Sequence, residues 1–174
     1  MKAKWIIPFL LLFFVQGTSM SPIAESNEEY NLKAAFVYRF TNYIDWETHL
    51  GNEDFVIGIV GASPISQPLY AIAKSQTVKG HKIIIRTFNT PADIGRCHLL
   101  FIPQRTGFSL SEIMGRVPKG MLTVSEKPGY AAQGTNINFV VVDDKLKFEI
   151  NTKSLYTSGL TASSQILKLA IIVN

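Results

Sequence analysis

Residues 30–46, YNLKAAFVYRFTNYIDW, restrict the fold more than any other stretch of the chain. At about 100° per residue, Tyr30, Leu32, Phe36, Val37, Phe40, Tyr43 and Ile44 fall in one broad arc. Tyr38, Arg39, Thr41, Asn42 and Asp45 fill the rest of the circle. A helix with so wide and aromatic a face must lie on something large, such as a sheet. Ser26 and Glu29 have the spacing of a capping box and set the expected start, and Gly51 the expected stop. Lys33 breaks the pattern by falling inside the apolar arc. Either it snorkels past the end of a first helical turn, or it is a buried ammonium that needs a carboxylate.

The 174 residues are 47% hydrophobic and 17% charged, and part of the apolar excess is local. Lys2 and Lys4 precede an apolar run from Trp5 to Val15, and Gly17, Thr18 and Ser19 follow. A basic start, a short apolar run and small residues form a secretory signal peptide, residues 1–19, with cleavage after Ser19. The competing reading is an uncleaved membrane anchor. The run falls short of the about 20 residues a span requires, and Pro8 interrupts it. Export is therefore expected, with no membrane insertion after cleavage. Residues 26–174 remain as a single domain large enough for a proper core. The net charge of +4 is spread without a Lys/Arg run, which gives nucleic-acid binding no support. Cys97, the one cysteine, excludes an intrachain disulfide. It is either a buried small hydrophobe or an exposed thiol able to pair between chains.

Along the chain, FVIGIVG (55–61) reads as a strand buried on both faces. A helix capped by Ser63 and Pro64 and running through Leu69, Ile72 and Ala73 follows it. Further strands are expected at 81–88, 98–102 and 121–125, with a short helix at 108–115 capped by Ser109 or Ser111. A glycine-shaped loop surrounds Tyr130. Residues 136–142 and 145–150 flank Asp143-Asp144 as an antiparallel hairpin. In the second of these strands Leu146, Phe148 and Ile150 face one way, and Lys147 and Glu149 the other. Asn151 caps a helix that Gly159 stops, and ILKLAIIV (166–173) reads as a buried terminal helix. The fold expected is α/β: a three-layer single domain with a mixed β-sheet, a late antiparallel hairpin and flanking helices.

Chemistry is hard to find in this pattern. There is no nucleophile elbow and no zinc or calcium spacing. Cys97 and His98 are adjacent on a strand and so point to opposite faces. His49 and His81 lie in or beside loops. Gly58 to Gly61 before a helix is either a tight turn or a phosphate-binding turn, and it lacks both the dinucleotide fingerprint and the P-loop lysine. No catalytic residue, cofactor or metal ligand is assigned, and binding or regulation is expected rather than catalysis.

Several stretches together carry a resemblance. KAAFVYRFTNYIDW (33–46), FVIGIVG (55–61), RCHLLFI (96–102), LTVSEKPGYAAQGTNINFVV (122–141), KFEIN (147–151) and GLTASSQILKLA (159–170) resemble, in order, the segments of the YfiR-like periplasmic proteins. No single segment is specific, but six in the right order are. The resemblance implies a periplasmic negative regulator that binds the periplasmic part of an inner-membrane diguanylate cyclase and lowers cyclic-di-GMP signalling. Other members accompany sensor kinases, so the alternative is a small-ligand-binding module feeding a kinase. The partner implied is an inner-membrane signalling protein, and a homodimer is a further expectation. Lys33, Phe36, Phe40, Trp46, Cys97, Gly134, Asn138, Glu149 and Asn151 fall in the matching stretches. They are expected to be structural, with an interface role open. Two departures stand out: Glu47 follows Trp46 where many members have proline, and only Cys97 remains where disulfides contribute in other members. Lys33 and Glu149, both inside matching stretches, are expected to pair and fix the helix to the hairpin.

Overall fold

The computed structural model describes residues 22–46 and 53–174, with side chains from residue 27 onward. The signal-peptide reading, His49 and Gly51 lie outside the described residues. A 22-residue helix, α1 (Pro22–Tyr43), opens the fold. Ser26 therefore lies inside the helix rather than at its cap, and Lys33 sits several turns from the start. The helix also ends earlier than its periodicity suggests. Ile44–Trp46 leave it as strand β1, which pairs antiparallel with β9 (Leu160–Ala162).

The core is an eight-stranded mixed sheet ordered β10-β8-β7-β6-β5-β2-β4-β3. Its centre comprises five parallel strands: β2 (Phe55–Val60), β4 (His81–Phe88), β5 (Leu99–Ile102), β6 (Leu122–Ser125) and β7 (Ile137–Val142). From β2 the chain steps one way to β4 through α2 (Ser66–Ser75), and from β5 the other way to β6 through α3 (Leu110–Met114). Right-handed crossovers in opposite directions put their helices on opposite faces, and three layers result. α1 and α2 cover one face and α3 the other, each over its own apolar cluster. Ser109 caps α3 through a capping box with Glu112. In α2 the helical hydrogen bonds begin only at Ser66, after a turn in which the Ser63 hydroxyl accepts from the Ile65 N–H at 3.4 Å.

Strands β7 and β8 (Lys145–Asn151) form the expected hairpin. Asp143 and Asp144 turn it with φ of 51° and 55°, the left-handed pair that tight hairpins demand. Asn151 caps α4 (Thr152–Thr157) by accepting from the Ser154 N–H at 2.8 Å, and Gly159, with φ of 69°, ends it. The terminal segment differs from expectation. Only Ser164–Leu167 are helical (α5), and Ile171–Val173 form strand β10, parallel to β8 at the sheet edge. Three consecutive β-branched residues favour a strand. The open side of β8 supplies hydrogen bonds that a helix would forgo. Two residues, Thr77–Val78, form β3 on the opposite edge.

Candidate functional site

The face of α1 that the periodicity marks as apolar makes the packing. Phe36 and Phe40 lie against Phe148 with ring centroids 5.7 and 5.1 Å apart, and Phe40 stacks on Phe139 at 5.8 Å. Leu32, at the rim of the arc, remains 47% exposed. Helix α1 thus covers the sheet face that carries Phe148 and Ile150. Strand alternation puts Glu149 on the other face, out of reach of Lys33. The expected Lys33–Glu149 pair does not form. Glu149 instead accepts from the Asn138 amide at 3.0 Å.

Lys33 meets Glu126. Along β6 and just beyond it, Leu122, Val124 and Glu126 alternate onto the α1 face. The Lys33 Nζ lies 2.6 Å from Glu126 Oε2 and 2.6 Å from Glu29 Oε1. The Glu126 side chain is only 2% exposed. Its other oxygen accepts from the Tyr30 hydroxyl at 3.2 Å and the Gln104 N–H at 3.1 Å. Burial draws the Lys33 pKa down, but the bonds to Glu126 and Glu29 outweigh it and hold the ammonium protonated above its ordinary value. Burial, and then the Glu126 charge, raises the Tyr30 phenol. The cluster ties the first half of α1 to the C-terminal ends of β5 and β6. Its groups satisfy one another, so it is an anchor rather than a receptor.

With that face occupied, the polar side of α1 borders α2. Between them runs an open groove of about 740 Å³. It is lined by Ala35, Tyr38, Arg39, Asn42 and Tyr43 from α1 and by Ala71, Ile72, Ser75 and Gln76 from α2. The Tyr38 hydroxyl lies 3.2 Å from both Gln76 Oε1 and the Thr77 carbonyl oxygen, which holds the groove's lower end in shape. Arg39 is exposed and, among the described residues, has no carboxylate partner. Among the described residues the lining includes no carboxylate, imidazole or thiol. A guanidinium, amides and hydroxyls beside two alanines can bind an acidic or polar group.

The remaining residues singled out in the sequence serve the frame. Trp46 meets Phe55 edge-on at 5.5 Å, and His98 stacks on the same ring at 4.9 Å. The His98 Nδ1 accepts from the Val56 N–H at 2.9 Å, extending the β2–β5 ladder through a side chain. Burial lowers its pKa. Cys97 is buried on the opposite face beside Met121, and burial pushes its thiol up to about 12. Gly58 is the floor on which that cluster sits: a Cβ there would lie 2.6 Å from Phe88 and 3.0 Å from Cys97 Sγ. Packing therefore accounts for this glycine without a phosphate. Tyr130 is buried in the same cluster as a loop anchor. Gly134, with φ of 111°, shapes the end of the loop around it. Asn138 accepts from Ser125 Oγ at 2.8 Å, which ties β7 to β6, and Asn151 donates to the Ala131 carbonyl at 2.8 Å, which fastens that loop to the sheet. Among the described residues no cluster of His, Cys, Asp or Glu could hold a metal ion, and no helix is long and apolar enough to cross a membrane.

This frame and the order of its segments agree with one family. The YfiR/HmsC-like model matches residues 30–171. The chain belongs to the YfiR/HmsC-like family. The match spans α1 from Tyr30, the whole sheet core and the first residue of β10, so both the Lys33–Glu126 anchor and the groove fall within it. The family is regulatory rather than catalytic, is periplasmic, and is known for regulators of diguanylate cyclases that partner an inner-membrane signalling protein. No individually curated protein matches the chain.

Sequence reasoning misses Glu126 because it lies one residue past the 121–125 strand, where Pro128 and Gly129 announce a loop. Its signal was the alternation in LTVSE, continued one step beyond the strand. It also left Arg39, Asn42 and Gln76 without a role, since a groove between two helices has no signature in either helix alone.

Proposed function

We propose that this protein is a periplasmic negative regulator. On this reading it binds the periplasmic part of an inner-membrane diguanylate cyclase through the α1–α2 groove and holds the enzyme inactive. It is exported by cleavage after Ser19, and residues 26–174 act as one domain. The observation that carries the reading is the groove itself, where the Arg39 guanidinium, without a carboxylate partner among the described residues, lies beside small alanines that leave room for a partner's helix or loop. A regulator that binds only the inactive conformation stabilises it by RT ln(1 + [L]/Kd), about 2.7 kcal/mol at a hundredfold excess over Kd. That shifts an equilibrium by about a hundredfold without any chemistry by the regulator.

Family membership and the absence of a reactive set in the groove lining support this reading. The groove's volume also falls in the range of roughly 300–1,000 Å³ typical of small-ligand sites, which favours the alternative of a ligand module feeding a sensor kinase. Deleting the gene and measuring intracellular cyclic-di-GMP separates the two. The cyclase reading expects the level to rise on deletion and to fall when the protein is supplied in the periplasm. Unchanged levels in both directions would defeat it and leave the kinase-linked alternative.

A further inference from the structure

Both walls of the α1–α2 groove are helices, so the groove offers side chains rather than free backbone groups. A strand laid there would leave its rows of N–H and C=O groups without partners. A helix brings its own bonds satisfied. Ala35 and Ala71 are both exposed, one on each wall, and small residues at a contact let a third helix axis come close. Helix α2 is 10 residues long, which offers an occupant about three turns, or roughly 15 Å.

The groove is also positive. Among the described residues, Arg39 is the lining's one charged side chain. Asp45 is engaged by Lys79 at 2.7 Å and Glu29 by Lys33 at 2.6 Å, and Glu28 lies about three turns from Arg39. Helix α2 carries Lys74 and no acid. Toward the start of α1, Leu32 is left 47% exposed. It stands one heptad before Arg39, about 10 Å away and on nearly the same line of the helix.

We propose that the groove, on the reading above that it receives the membrane partner, takes one amphipathic helix of that partner, laid along α1 with a carboxylate over Arg39 and an apolar side chain on Leu32. Two helices side by side rise equally, so these two anchors are about seven residues apart in the partner. The turns between them cross Ala35 and Ala71, where larger side chains find room. Apolar and van der Waals contact supplies the affinity of such a helix, while the charge pair at the exposed Arg39 fixes its register and orientation.

Photocrosslinking in living cells, with a photoreactive residue at position 31 or at position 42, tests this. Asn31 and Asn42 are exposed and lie on one line of α1 about 16 Å apart, and replacing them leaves Leu32, Ala35 and Arg39 in place. Mass spectrometry should map the two crosslinks about eleven residues apart in one periplasmic segment of an inner-membrane cyclase, with an Asp or Glu between them. An extended segment covers the same distance in about five residues. Arg39→Glu should weaken both crosslinks at least about tenfold, and reversing the partner's carboxylate to arginine should restore them. Circular dichroism and an unchanged unfolding midpoint check that Arg39→Glu is folded, as expected for an exposed position. Crosslinks about five residues apart, or with no acid between them, overturn the helix and leave the groove reading standing. So does a folded Arg39→Glu protein that crosslinks like wild type, or a reversed pair that fails to recover. Capture of no cyclase from either position defeats the groove reading itself, and this inference with it.

Discussion

Replacing Glu126 by glutamine removes the charge on which the first half of α1 is anchored. The carboxylate accepts from Lys33, Tyr30 and the Gln104 N–H, and its side chain is 2% exposed. Breaking a buried pair by removing one partner costs about 3–5 kcal/mol. The lower end applies here for two reasons. Lys33 retains Glu29, whose side chain is 44% exposed and solvated. Glutamine also still offers an oxygen to Tyr30 or Gln104. We expect about 3 kcal/mol for Glu126→Gln and a similar loss for Lys33→Met, which leaves a buried carboxylate with two neutral donors. The double variant should fall short of the sum by about 1–3 kcal/mol, because each change removes the same interaction. Glu149→Gln should cost under about 1 kcal/mol, since a side-chain oxygen remains for Asn138, and its effect should add to that of Lys33→Met. Urea unfolding of these single and double variants, the Lys33→Met/Glu149→Gln pair included, followed by far-ultraviolet circular dichroism gives all five values. Additive losses for Lys33 and Glu126, or coupling between Lys33 and Glu149, would refute the reasoning.

Three other outcomes are expected. Because the His98 pKa is lowered by burial while the unfolded chain titrates near 6.5, the unfolded state binds the extra proton first. Stability contributed by His98 is intact above that pH and falls as pH drops below it; unfolding midpoints should show a smaller loss between about pH 6.5 and 5 in His98→Asn than in wild type. Gly58→Ala should destabilise by about 1–3 kcal/mol through overpacking against Phe88 and Cys97, and Phe88→Leu in the same chain should return part of the loss; a neutral Gly58→Ala would contradict the geometry. The Cys97 thiol, buried and with its pKa near 12, should react with a thiol reagent at mildly alkaline pH only as fast as the protein opens, and immediate labelling of native protein would show otherwise.

Much of the frame is readable in the chain because local and tertiary preferences agree there. FVIGIVG, the Asp-Asp turn, a serine cap at Ser109 or Ser111 and the Asn151 cap each need little beyond their neighbours to be recognised. The start of α1 was misplaced because Ser26 and Glu29 fit a capping box by spacing, while in the fold Glu29 reaches forward one turn to Lys33. The end of α1 and the terminal segment were misread for a related reason. Ile44–Trp46 and Ile171–Val173 continue a helical pattern of apolar residues, but each finds an open strand to pair with, β9 and β8 respectively. Periodicity does not register an available edge. The Lys33–Glu149 expectation correctly placed Glu149 opposite Phe148 and Ile150. It then put α1 on the wrong face, and the aromatic contacts with Phe148 decide that point. The groove depends on how α1 and α2 lie side by side, which neither sequence contains.

The central claim is that the α1–α2 groove contacts an inner-membrane cyclase. Site-specific photocrosslinking in living cells tests it most directly, with a photoreactive residue at position 39 in the groove and a control at position 147 on the opposite sheet face. The account predicts that position 39 captures an inner-membrane protein carrying a diguanylate cyclase domain, that position 147 does not, and that substituting Ala35 and Ala71 by leucine to fill the groove abolishes the crosslink in a protein that still folds. Capture of the cyclase from position 147 alone, or a crosslink at position 39 that persists with the groove filled, would contradict it.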